Sequence, residues 1–251
     1  MSDSIQIVHE DRVTKLTINR PDKKNALTQA MYGAMADAII EYGDSDASRA
    51  LVITGVGDMF TAGNDLQDFS AGGQDGVPGV VRFLQAIKDC PKPLIAAVNG
   101  TAIGVGLTML LHCDLVYAGE SATFSAPFVQ LGLVPEAASS LLLPAAVGMA
   151  VANDIFLTGR TLTAEEAHAY GLVARLFPDA DLKAEVDKIA RGVAASAPTA
   201  MKRSKALIRN QQDRVTAQML TEGEVFAQQL KSPDFAESVA AMMQKRAPVF
   251  Q

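Results

Sequence analysis

Three short apolar runs constrain this chain most: Ala-Leu-Val-Ile-Thr at 50–54, Leu-Ile-Ala-Ala-Val at 94–98 and Asp-Leu-Val-Tyr-Ala at 114–118. The first is stopped by Gly55 and Gly57, and the second breaks at Asn99-Gly100. Short apolar runs without polar alternation belong to strands covered on both faces. Helical patterns separate them: Thr28 caps a segment reaching Tyr42, with Ala30, Met31, Ala34, Met35 and Ala38 on one face, and another helix covers 80–88. Strands alternating with helices at this spacing imply an α/β core with mostly parallel sheets.

The chain opens with two period-two segments, 5–8 and 13–18, separated by Glu10-Asp11-Arg12 as in a hairpin. A further strand is expected at 122–125, and an apolar helix from Gly104 to Leu111. Residues 71–76, Ala-Gly-Gly-Gln-Asp-Gly, read as a mobile loop. Beyond Glu136 the pattern turns helical, over 137–146, 150–157, 163–169, 181–195, 198–209 and 214–230, with one strand signal at 172–176. Ser232-Pro233 starts a last helix. The composition shift at 195–198 divides the chain into a core, 1–195, and a helical region, 196–251, expected to pack on the core and on neighbouring subunits.

Charge and composition narrow the function. Net charge is -6, which disfavours nucleic acid and anionic membranes, since phosphate binding needs clustered Lys and Arg. Two cysteines, Cys90 and Cys113, sit in or beside apolar runs and read as buried free thiols of a reducing compartment. The N-terminal segment lacks a basic and apolar leader pattern, no apolar stretch is long enough to span a bilayer, and the last residues are not a peroxisomal tripeptide. A cytoplasmic location is expected. The histidines His9, His112 and His168 have no ligand spacing, so no metal is expected. Gly104-Val105-Gly106 lacks the third glycine of a dinucleotide fingerprint, because position 109 is Met. There is neither a phosphate-binding Gly-Lys-Ser/Thr loop nor a Gly-x-Ser-x-Gly elbow.

Two glycine-rich turns remain, 60–66 (Phe-Thr-Ala-Gly-Asn-Asp-Leu) and 99–106 (Asn-Gly-Thr-Ala-Ile-Gly-Val-Gly). Small residues there let a ligand approach backbone N–H groups, and two such groups converging would hold an oxyanion. Read alone, the glycines fit two tight strand-to-helix connections better than an oxyanion site. Glu136, between Pro135 and the small residues 137–140, is either a first-turn acid complementing a helix dipole or a base whose proton affinity is raised by apolar surroundings.

These segments, with Arg20-Pro21-Asp22-Lys23-Lys24-Asn25-Ala26-Leu27 before them, stand in the order of the motifs of the crotonase (enoyl-CoA hydratase/isomerase) superfamily, which the chain resembles over nearly its whole length. The resemblance implies a ββα spiral core with a C-terminal helical trimerisation region, in a homotrimer or dimer of trimers. It implies an acyl-CoA thioester substrate, coenzyme A being part of the substrate and no cofactor needed. It places the oxyanion-hole N–H groups at Asn64 and Val105, where the family usually has Gly in place of Val105. The CoA moiety would lie along Lys24, Ala26, Ala62, Gly63, Asp65 and Leu66, with Arg20, Lys23 and Lys24 near its phosphates. Hydratases of the family carry two glutamates where this chain has Thr108 and Phe128. Glu136 falls where Δ3,Δ2-enoyl-CoA isomerases place their single acid. Isomerisation of 3-enoyl-CoA in fatty-acid β-oxidation is therefore the expected activity. A hydratase or thioesterase, or a silent acyl-CoA-binding member, stays the alternative, and RNA binding is disfavoured by the acidic charge.

Overall fold

The computed structural model describes residues 4–65, 68 and 78–250. Its first hairpin pairs β1 (Ile5–Glu10) with β2 (Val13–Ile18), register Glu10↔Val13. The two-residue link, Asp11 and Arg12, has φ of 50° and 63°, the geometry whose twist matches that of a hairpin. Helix α1 (Gln29–Asp44) follows, its Thr28 hydroxyl accepting from the Met31 N–H as the sequence predicts. Its buried face is Met31, Tyr32, Met35, Ala36, Ala38, Ile39 and Tyr42; Ala30, expected on that face, points to solvent.

From here the chain winds as a two-strand repeat. β3 (Ala50–Gly55), β5 (Leu94–Val98) and β7 (Leu115–Gly119) enter one sheet; β4 (Met59–Thr61), β6 (Thr101–Ile103) and β8 (Thr123–Ser125), each a few residues after its partner, enter another. Helix α2 (Gly79–Asp89) and the short α3 (Val105–Thr108) close two of the turns. The larger sheet has the order β1-β2-β3-β5-β7-β10, and the smaller β4-β6-β8-β9, with β9 at Leu162–Thr163 and β10 at Arg175–Phe177. Among the described residues only β1–β2 and β8–β9 pair antiparallel. This is the expected ββα spiral of mostly parallel strands.

The apolar runs have a double use. Leu51, Ile53, Leu94, Ala96, Val98, Val116 and Ala118 face the main core with α1 and α2. Their neighbours Ala50, Val52, Ile95, Ala97 and Tyr117 face the opposite side, under helix α7 (Leu182–Ala195). That helix presents Leu182, Val186, Ala190 and Ala194, one residue every four, as a single stripe. Burial on both faces is why polar alternation is missing from these strands.

The remaining helices are α4 (Ser139–Val147), α5 (Met149–Thr158), α6 (Ala164–Ala169), α8 (Pro198–Ile208), α9 (Gln212–Gln229) and α10 (Pro233–Met243). The segment after α7 is tied to the spiral by charge. Lys205 and Arg209 converge on Asp114 at 2.7 and 2.8 Å, and Arg209 also donates to the carbonyls of Leu111 and Cys113. Ser232 caps α10 by accepting from the Phe235 N–H, and Phe235 is buried beside Gly132. Both cysteines are free and buried. Among the described residues no helix is long and apolar enough to cross a membrane. The loop expected at 71–76 lies outside the described residues.

Candidate active site

The first corner is built on a left-handed turn. Lys24 and Asn25 have φ of 52° and 57°, and the buried Asn25 side chain staples that turn by accepting from the Arg20 N–H and donating to the carbonyls of Val56 and Met59. Lys23 and Lys24 are left exposed at its tip. The Lys24 carbonyl accepts from the Ala62 N–H, and Leu27 donates to Gly63 and accepts from Asp65. Leu27 therefore bonds the two residues flanking Asn64, its bridge partner, so that the Asn64 N–H points away from Leu27. Among the described residues the Asn64 N–H has no acceptor. Its side chain is fixed, since the Tyr32 hydroxyl donates to Asn64 Oδ1 at 2.5 Å.

Arg20 is committed within this corner: its guanidinium reaches Asp65 at 2.7 Å and the Ala26 carbonyl at 3.0 Å. Through one nitrogen, Nη1, Arg20 joins the two chain segments of the corner. Lys23 and Lys24 remain the exposed cations of this edge. Leu66 lies outside the described residues.

The second corner lies against the first. A Cβ on Gly63, whose φ is +87°, would stand 2.9 Å from the Ile103 carbonyl oxygen, so only glycine lets residues 63–64 run alongside 103–105. Gly104 adopts φ 58° and ψ -117°, a conformation open essentially to glycine, and so turns β6 into α3. Val105 is the first helical residue. Among the described residues its N–H has no acceptor, and its side chain is 3% exposed, packed in the main core. The helix expected to run from Gly104 to Leu111 is α-helical only to Thr108, and Met109–His112 tighten into a 3₁₀ turn.

One turn along α3, Thr108 is fully buried, and its hydroxyl donates to Glu136 Oε1 at 2.5 Å. Glu136 does not sit in the first turn of a helix, as its surroundings in the sequence suggest. Ala137 and Ala138 take φ of 61° and 56°, and α4 starts only at Ser139. The Glu136 carboxylate is thereby swung away from the helix axis towards Thr108. His112 Nε2 lies 2.8 Å from the Ala137 carbonyl. Because burial pushes this imidazole down to about 4, it is neutral and donates through Nε2 to that carbonyl. Glu222, from α9, accepts from the Ser140 N–H at 3.0 Å and from its hydroxyl.

Glu136 keeps partial exposure as a residue, but its carboxyl is largely desolvated. Burial raises it to about 7; the Thr108 hydrogen bond works against the rise and the charge of Glu222 adds to it. A carboxyl of that proton affinity both takes and returns a proton near neutral pH. The Tyr32 phenol is raised by burial first and by the Glu136 charge second, which puts Glu136 within electrostatic reach of the residue that holds Asn64. The fold thus gathers Asn64, Val105 and Glu136, each on its own turn of the spiral. Phe128 packs with Phe156, ring centroids 6.2 Å apart.

Sequence reasoning missed Tyr32, His112 and Glu222. Tyr32 is one apolar-face residue among several on α1, and nothing local marks His112 or Glu222. Among the described residues no three His, Cys, Asp or Glu side chains are grouped to hold a metal.

A two-sheet spiral of paired short strands, each pair followed by a helix, is the architecture of the crotonase fold. The model of the enoyl-CoA hydratase/isomerase family matches residues 9–251, and the chain belongs to that family. The crystal structure of an enoyl-CoA hydratase/isomerase from Pseudoalteromonas atlantica is 56% identical, with a TM-score of 0.96 and coverage of 99% of this chain and 100% of that one. Among curated relatives, enoyl-CoA delta isomerase 2 of Rattus norvegicus is 40% identical over 86% of this chain and 57% of its own length. The chain thus spans little more than half of that relative. The 2,3-dehydroadipyl-CoA hydratase of Escherichia coli is 35% identical over 98% of this chain and 97% of its own. The kinship lies on the isomerase side of an enzyme family that also holds hydratases.

Proposed function

We propose that the protein isomerises 3-enoyl-CoA to 2-trans-enoyl-CoA in fatty-acid β-oxidation, with Glu136 as its single proton carrier. The observation that carries this reading is a near-neutral carboxyl, Glu136, hydrogen-bonded by Thr108, which stands where the family resemblance puts a hydratase glutamate. With Phe128 at the other such position, no second carboxylate is supplied from there to activate water. A 1,3-proton shift needs only one group.

In this mechanism Glu136 takes a proton from C2, alpha to the thioester. The electron pair moves through the double bond onto the thioester oxygen, and the N–H groups of Asn64 and Val105 stabilise that dienolate. Glu136 then returns the proton at C4, and the 2,3-double bond forms in conjugation with the carbonyl. Thr108 orients the carboxylate throughout by its hydrogen bond. The CoA moiety runs along Lys24, Ala26, Ala62, Gly63, Asp65 and Leu66, with Lys23 and Lys24 towards its phosphates, and the reaction calls on no metal or further cofactor. We take residues 1–195 as the spiral core and 196–251 as a helical region that joins subunits into a trimer or dimer of trimers. Leu207 and Ile208, 76% and 80% exposed at the end of α8, are apolar surface that another copy would cover.

The test is to incubate the purified protein with 3-trans-hexenoyl-CoA and follow the absorbance of the conjugated thioester, with mass detection of any hydrated product. A rise without mass gain, abolished in Glu136→Gln, supports the isomerase. A product heavier by one water would make the protein a hydratase, and tight binding without turnover would make it a silent acyl-CoA binder.

A further inference from the structure

The turn that carries Glu136 is held from outside the spiral. Glu222, in the middle of α9, is 6% exposed. Its Oε1 accepts from the Ser140 N–H and hydroxyl, the Ala138 N–H and the Gln218 amide bear on the same carboxylate, and Gln218 also donates to Ser140 Oγ at 2.8 Å. The second oxygen, Oε2, is buried without a hydrogen-bond partner among the described residues. Clamping the head of α4 needs one acceptor, which a neutral glutamine would supply. Glu222 nonetheless keeps a carboxyl there, one of its oxygens buried and unpartnered, where an amide would serve the clamp equally well.

What the clamp holds is the strained stretch, Ala137 and Ala138, two successive left-handed non-glycine residues immediately after Glu136. We propose that Glu222 is a positioning residue for proton transfer, locking from α9 the turn that aims the Glu136 carboxylate and keeping a second negative charge behind it. This deepens the isomerase reading and rests on Glu136 being the proton carrier.

The groups facing Glu136 single out that charge. Tyr32 from α1 is a phenol that burial keeps neutral. His112, at the turn after α3, is a neutral imidazole tied to the Ala137 carbonyl, and the cations Arg209, Lys88 and Lys205 lie behind it. Glu222 adds to the rise of the Glu136 carboxyl, while burial raises Glu222 itself. When ionised, Glu222 adds in the same direction as burial, while the Thr108 hydrogen bond opposes both.

The experiment is the pH profile of kcat/KM on 3-trans-hexenoyl-CoA for the full chain, with Glu222→Gln, Glu222→Ala and Glu136→Gln. Glu222→Gln keeps an acceptor for Ser140 and removes the charge, so its acid limb moves to lower pH by roughly half a unit or more, with kcat lowered and KM little changed. Glu222→Ala also frees the turn and loses about 10²-fold in kcat. A Glu222→Gln enzyme whose acid limb stays in place overturns the proposal, whether its kcat holds or falls together with its thermal midpoint. That outcome leaves a structural clamp only, and the reading is available even where Glu222→Ala does not fold. Turnover surviving in Glu136→Gln would instead overturn the isomerase mechanism, and the proposal with it, without reference to Glu222.

Discussion

Gly63 and Gly104, at the two backbone corners, and Ala137-Ala138, at the acid turn, all have positive φ, yet they solve the problem with different residues. At the corners the groups on offer are backbone N–H donors. The chain must approach its neighbour closely, as the 2.9 Å from a Gly63 Cβ to the Ile103 oxygen shows, so a side chain is excluded. At the acid turn the group on offer is a carboxylate, and the left-handed positions are filled by alanines whose methyls are buried, 3% and 0% exposed. Their conformational cost, about 1–2 kcal/mol each, is offset by bonds from distant parts of the chain: His112 to Ala137, and Glu222 to Ser140. Backbone chemistry is encoded locally. Aiming a side chain is a tertiary property.

The largest test of this division removes the aimed group. Glu136→Ala should keep the circular-dichroism spectrum and thermal midpoint close to wild type, and lose about 10²–10⁴-fold in kcat, the worth of a general base. An enzyme that kept its turnover would leave the acid turn without a catalytic role. Gly63→Ala comes next. The added methyl pushes the Asn64 N–H off position, and kcat falls by about 10²–10³-fold as for a lost oxyanion donor. Turnover undiminished in that variant would place the oxyanion donors elsewhere.

pH separates the two regions, because only the acid turn titrates near neutrality. Glu136 acts as a base when ionised, and burial raises its carboxyl from 4.5 to about 7. The kcat/KM should therefore climb about tenfold per pH unit up to about 7 and then level off. A flat profile between pH 5.5 and 8 would show that a different group moves the proton. Stability runs the opposite way. The folded state holds this proton more tightly than the unfolded chain, so the contribution is present below about pH 4.5 and is lost as pH rises through about 7. Glu136→Gln, which still accepts from Thr108, is expected to be more stable than wild type at pH 8. The gain is on the order of 2–3 kcal/mol, discounted because the residue keeps partial exposure. The gain should vanish by pH 4 in urea titrations at the two pH values.

Much of the spiral is legible in the sequence. The apolar runs give β3, β5 and β7 to within a residue or so, and Thr28 and Ser232 mark true helix caps. β4 and β6 are not, because each lies in or beside a glycine-rich turn that reads as loop, and their short pairing is supplied by the neighbouring turn of the spiral. The start of α4 is displaced from 137 to 139 because alanine, the best helix former, sits in the left-handed region there against its own preference. The glycine corners are visible as glycines. The groups that work on Glu136 and Asn64 are not: Tyr32 looks like core, Thr108 like a missing glutamate, and Glu222 is 86 residues beyond the acid whose proton affinity it raises.

The smallest expected effect is the sharpest for the comparison itself. Ala138→Gly relieves a left-handed alanine, a gain of about 1–2 kcal/mol. Against this stand the greater freedom of glycine in the unfolded chain, about 0.5–1 kcal/mol, and the contacts of a methyl group that is 0% exposed. The net change in stability should be under about 1 kcal/mol, a small shift in thermal midpoint. If the alanines were there for strain alone, the variant would be clearly more stable and as active as wild type. If instead the methyl and the distant clamps together fix the aim of Glu136, the variant folds equally well but its kcat drops several-fold with KM unchanged, since the turn now samples conformations that Thr108 does not capture. The converse change, Gly104→Ala, lacks that balance: an L-residue is disfavoured at φ 58° and ψ -117°, no buried methyl is recovered, and stability and turnover should fall together. Equal behaviour of the two variants would erase the distinction between a corner that needs glycine and a turn that tolerates its absence.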